Sequence, residues 1–94
     1  MTIETKPWDP AERLTTPEAI AAYLEAVLEE DDPSLLVAAL GDIAKAKGMT
    51  EVAKAAGVTR DALYKSLSEG GDPRLSTFLG VAKALGLRVQ LEPV

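Results

Sequence analysis

The chain has 94 residues, 47% of them hydrophobic and only 4% aromatic, with a formal net charge of −5. That length supports one domain with one small core, and apolar residues that are mostly Ala, Leu and Val favour packed helices over a β-sandwich, because Ala and Leu are strong helix formers. Cysteine and histidine are both absent, which removes disulfide and thiolate chemistry together with the commonest general base and metal ligand, so neither an enzyme nor a metal or cofactor is expected.

There is no apolar run near the ~18 residues of a membrane-spanning helix. The opening MTIETKPWDP has no basic start followed by an apolar stretch, so a secretory leader is not expected and the cytoplasm is the default location, without a membrane partner. The charge is unevenly spread. Residues 1–32 carry nine acids against Lys6 and Arg13, a net −7, while residues 33–94 sum to +2. An acidic part joined to a mildly basic part suggests two different partners. The plainer alternative is that acidic helices are simply well solvated.

Residues 1–14, with Pro7 and Pro10, read as an irregular arm ahead of a helical domain over 15–94. Trp8, the only tryptophan, lies in the arm, either as an anchor on the domain's own core or as a contact for a partner. Thr16-Pro17-Glu18 is a helix start, with Thr as N-cap, Pro at the first helical position and Glu in the first turn. Ile20, Tyr23, Leu24, Val27 and Leu28 follow at helical spacing, predicting a helix over 17–30. Asp32-Pro33 repeats the signal for a helix over 33–47, with Leu36, Leu40, Ile43 and Ala44 on one face and Gly48 as the stop.

Thr50 is expected to cap a short helix over 50–56, Gly57 to turn the chain, and Thr59 to cap a helix over 59–67. The stretch SEGGDP is loop. A last helix is expected over 75–85, with Leu75, Phe78, Leu79 and Ala82 on its apolar side and Gly86 ending it. LRVQL, residues 87–91, alternates apolar and polar like a strand, which must pair with another chain or lie on the domain as an extended tail. The fold class is therefore all-α: a compact five-helix bundle with a short, strand-like C-terminal tail.

Residues 49–68, MTEVAKAAGVTRDALYKSLS, meet the physical demands of a helix-turn-helix. Ala53 is small enough for two helices to cross closely, and Gly57 tolerates a positive φ in the turn. Val52, Ala56, Val58, Leu63 and Leu67 can share a core. Outside remain Thr59, Arg60, Asp61, Tyr64, Lys65 and Ser68, the residues a helix in the major groove would present. Arg60 can bond guanine with two N–H groups, while Thr59 and Lys65 can reach phosphates or bases. Asp61 repels phosphate unless it accepts from cytosine N4 or orients Arg60. Thr50, at a helix start, and Arg74, in the loop, are phosphate candidates. The plain alternative is an ordinary helical corner with solvated polar residues.

The chain also resembles a known family. YLEAVLEEDDP, ALGDIAKAKGM, GVTRDALYKSLS and ALGLRV, within a stretch covering roughly residues 9–91, are similar to helix-turn-helix addiction-module antidote proteins. These are antitoxins paired with RelE/ParE-like toxins, a branch of the phage-repressor-like (Xre/Cro) group with a lambda-repressor-like fold. The resemblance implies a type II toxin-antitoxin module: a protein that neutralises a small basic toxin, commonly a ribonuclease acting on mRNA, by direct binding. It also implies repression of its own operon by a homodimer on double-stranded operator DNA. The acidic first third suits a basic toxin surface, which selects Trp8, Asp9, Glu12, Glu25 and Glu29 as toxin-binding candidates. The 87–91 segment competes for that role by adding a strand to a partner's sheet, or it pairs with itself in a homodimer. Two other functions stay open: a stand-alone transcriptional regulator without a toxin, and a protein-interaction module that never meets DNA.

Overall fold

The computed structural model describes residues 16–94, and these form five helices and no strand. Helix α1 spans Pro17–Leu28. Its start is closed by Thr16, whose Oγ1 accepts from the Ala19 N–H at 3.1 Å, and its buried face is Ile20, Leu24 and Val27. The helix ends two residues before the expected 30, because Glu29 is its C-terminal cap. Helix α2 spans Pro33–Lys47. Asp32 caps it, with Oδ1 accepting from the Ser34 N–H at 3.0 Å and from the Ser34 hydroxyl at 2.7 Å. The Ser34 hydroxyl, aided by the Leu35 and Ser34 backbone N–H groups, holds the Asp32 carboxyl below its ordinary value.

Helix α3 spans Met49–Ala56 and α4 spans Arg60–Ser66. Between them Gly57 adopts φ 76°, a left-handed conformation that L side chains rarely enter. The Val58 N–H reaches the Ala53 carbonyl at 3.1 Å and the Gly57 N–H the Lys54 carbonyl at 3.2 Å. This paired closure satisfies the last carbonyls of α3 and fixes the direction in which the chain leaves it. Thr59 then opens α4, its Oγ1 accepting from the Ala62 N–H at 3.1 Å. Helix α5 spans Leu75–Ala84 and is closed the same way, with the Leu87 N–H on the Ala82 carbonyl at 2.8 Å.

One core joins all five helices. Ile20 of α1, Leu40 and Ile43 of α2, Leu63 of α4, and Val81 and Leu85 at the end of α5 are fully buried, each side chain contributing about 1.5–3 kcal/mol by leaving water. Met49, Val52 and Ala53 of α3 complete it, with Ala56 and Val58 packed at its margin. Two close approaches depend on missing side chains. A β-carbon on Gly41 of α2 would stand 2.5 Å from the Leu67 carbonyl oxygen at the end of α4, and one on Gly80 of α5 would stand 2.8 Å from the Ala56 Cα of α3.

Two local expectations need correction. Thr50 is not the cap of α3: Gly48, at φ 114°, ends α2 and begins α3, so the helix starts at Met49 and Thr50 lies exposed in its first turn. Leu75 and Leu79 do not join the core. The buried face of α5 is Thr77, Val81 and Ala82, because Gly80 must face Ala56 and this orients the helix. Residues 87–91 take the second of their two expected forms: they pair with no strand among the described residues and run as an extended tail beside the domain, with Leu87 half-buried on the core.

Candidate nucleic-acid interface

Helix α4 is short, and its orientation is set at both ends. Its first turn follows the Gly57 closure and the Thr59 cap. Its last turn meets α2 at Gly41, with Leu67 buried. Leu63 faces inward with no exposed surface. The opposite side follows from helical geometry: Thr59, Arg60, Asp61, Tyr64 and Lys65 are all exposed, and Ser68 is half-exposed. Tyr64 keeps 52% of its surface in water, which is high for an aromatic residue on a helix packed against a core.

The eight residues expected at a nucleic-acid surface are placed as follows. Thr59, Arg60, Asp61, Tyr64, Lys65 and Ser68 come together on and beside α4. The Ser68 hydroxyl donates to the Tyr64 carbonyl and the Thr59 oxygen serves the cap, so both hydroxyls also hold the helix ends. Thr50 is exposed on the neighbouring α3. Arg74 is exposed just before α5, at the end of the 68–73 loop. That loop folds tightly under α4: a β-carbon on Gly71 would overlap the Ser66 carbonyl, and the Gly71 N–H bonds the Ser68 carbonyl at 2.8 Å.

One residue of this surface is missing from the sequence reading. Lys45, in the last turn of α2, places its ammonium 5.5 Å from the centre of the Tyr64 ring, within cation–π range. Two residues 19 positions apart are brought together by the packing of α2 on α4. Their only advance signal was the pair of lysines at the end of α2. The ammonium adds a positive charge to a face whose α4 residues already include Arg60 and Lys65 against Asp61.

The acidic candidates lie elsewhere. Glu25 on α1 and Glu29 at its C-terminal cap are exposed, and Glu30, Asp31 and Asp32 continue the acidic run. Asp31 sits at φ 54°, a conformation that aspartate tolerates better than most residues. Trp8, Asp9 and Glu12 fall outside the described residues. Among the described residues, no helix is long and apolar enough to cross a membrane.

Comparison with known proteins decides the family. The model of the family described as "Probable addiction module antidote protein" matches residues 4–93. The chain belongs to this antidote family. An uncharacterized protein of Haemophilus influenzae is 46% identical over 92 residues, covering 98% of this chain and 95% of that protein. No solved structure matches. Membership in an antidote family implies a toxin as partner for this antitoxin.

Proposed function

We propose that this antidote represses its own operon as well as neutralising its toxin, with α3 and α4 acting as a helix-turn-helix on double-stranded operator DNA. The observation that carries the reading is the face of α4: Thr59, Arg60, Asp61, Tyr64 and Lys65 stand in water on a helix whose other side, Leu63 and Leu67, is locked into the core. A short helix held this firmly can enter a major groove without rearranging, so little ordering entropy opposes binding. In this reading Arg60 bonds a guanine edge with two N–H groups, and Asp61 orients it or accepts from cytosine N4. Lys65, Lys45, Thr59, Ser68, Thr50 and Arg74 meet phosphates, which fix register without selecting sequence. Two copies bind, because paired half-sites require two such helices.

The toxin in this proposal is a small basic protein of the RelE/ParE-like class, a ribonuclease. The acidic first third of the sequence, with exposed Glu25 and Glu29 and the sequence candidates Trp8, Asp9 and Glu12, complements it electrostatically. The test is a binding titration against the duplex upstream of the gene and against an unrelated duplex, at several salt concentrations. Tighter binding to the upstream duplex, weakening steeply with salt, supports the proposal. Equal, weak binding to both duplexes overturns the repressor half and leaves a toxin-binding module.

A further inference from the structure

The C-terminal tail presents apolar side chains beside backbone that has no partner among the described residues. Among the described residues, the backbone of 88–94 makes no hydrogen bond to the rest of the chain. Val89 is 47% exposed and Leu91 94% exposed. Beside them runs an apolar groove floored by Leu24, Leu36, Leu40 and Phe78 and rimmed by Leu28 and Val89. On α5, Leu79 and Leu75 are also exposed, the latter at 71%. N–H and C=O groups without partners among the described residues, flanked by exposed Val89 and Leu91, form a template for another strand.

We propose that two copies of the chain join here, their 88–92 segments running antiparallel about a two-fold axis at Gln90. The charges select both the occupant and the register. With Gln90 opposite the partner's Gln90, Arg88 lies across from the partner's Glu92, and Glu92 across from the partner's Arg88. Opposite residues in an antiparallel pair have β-carbons about 4.5–5.5 Å apart, close enough for both ion pairs to form. On the other face, Val89 meets the partner's Leu91 and Leu91 meets the partner's Val89, so the most exposed leucine of this segment is covered. Competing registers lose this match. Centring on Arg88 sets two guanidinium groups face to face, and centring on Val89 or Leu91 sets both charges across from neutral residues. A slip by one residue places Val89 opposite Gln90 or Glu92, mixing polar with apolar on each face. The segment is thus complementary to itself, as a two-fold interface requires.

The inference rests on the proposed operator reading for its need of a second copy, and its test is run without DNA so that either can fail alone. Sedimentation equilibrium of the full chain is compared with Arg88→Glu, Glu92→Arg and the double exchange. The parent is a dimer. Each single change brings like charges together twice per interface and weakens the dimer about tenfold or more. The double exchange restores the pairs in reverse and returns the dimer to within about threefold of the parent. Helical circular dichroism is the same in all four, because both residues are exposed and lie outside the helices. A monomeric parent, single variants as tight as the parent, or a double exchange no better than the singles each overturns the interface. A dimer with this pattern that ignores operator DNA keeps the interface and overturns the repressor reading instead.

Discussion

Gly80 of α5 lies so close to Ala56 of α3 that a β-carbon at position 80 would stand 2.8 Å from the Ala56 Cα and 3.1 Å from its Cβ. This contact fixes how α5 packs on α3, and through α3 it holds the corner that carries α4. An alanine at position 80 would gain about 1 kcal/mol of helix propensity. The overlap is with backbone, which cannot swing away, and costs about 1–3 kcal/mol or more. Gly80→Ala is therefore expected to destabilise the protein by about 2 kcal/mol where the overlap reaches the upper part of that range, read as a lower urea midpoint with unchanged slope. An unchanged or higher midpoint would mean that the two helices can separate freely.

The same contact explains which parts of the chain were legible in its sequence. Caps and stops were readable because their chemistry is local: Thr16, Asp32 and Thr59 accept from N–H groups two or three residues on, and Gly48, Gly57 and Gly86 take positive φ. The inward face of α5 was not readable. Leu75, Phe78, Leu79 and Ala82 make the more hydrophobic stripe, but the side that docks on α3 needs a missing side chain at Gly80, and that turns Thr77 and Val81 inward. Shape outranked hydrophobicity there. Lys45 was equally invisible, since only tertiary packing brings it to Tyr64, whereas Arg60 and Lys65 follow directly from the spacing of Leu63 and Leu67.

Gly57 holds the turn in a left-handed conformation that costs other residues about 1–2 kcal/mol. A β-carbon there meets nothing within 4 Å, so the penalty is conformational and not steric. Gly57→Ala is expected to lower stability by about 1 kcal/mol and weaken operator binding as well, because the exit angle of α4 shifts. Matched thermal melts and DNA titrations check both effects. A loss of stability with unchanged DNA affinity would show that the angle of α4 is not what the operator reads.

Asp32 makes the start of α2 sensitive to acid. Its carboxyl titrates below the ordinary 3.8 because the Ser34 hydroxyl and two backbone N–H groups stabilise the charged form. The folded value is depressed, so the stabilisation is complete above the unfolded value and is lost as pH falls through the folded one. Asp32→Asn retains a good cap without the titration. The parent's melting temperature is expected to fall more than the variant's as pH drops below 3.8, with the two curves parallel near neutrality. Parallel curves throughout would remove Asp32 from the acid response.

The acidic third of the chain is proposed to meet the toxin. Removing residues 1–14, which takes away Trp8, Asp9 and Glu12, is expected to weaken neutralisation while operator binding stays close to the parent's. Growth during co-expression with the toxin reads the first effect and DNA titration the second. Full rescue by the shortened chain would place the toxin surface elsewhere.

The central claim is that the exposed face of α4 reads DNA, and a paired operator titration of Arg60→Ala and Lys65→Ala across several salt concentrations tests it most directly. Both side chains are exposed on the side of α4 away from Leu63 and Leu67, so thermal melts should match the parent. Arg60→Ala is expected to cost about 1–3 kcal/mol on the operator and to relax base preference at one position of each half-site. Lys65→Ala is expected to weaken all duplexes alike and to reduce the salt slope by about one unit per site. If both variants bind the operator as tightly as the parent, with the same salt slope, α4 does not read DNA and the repressor assignment is wrong.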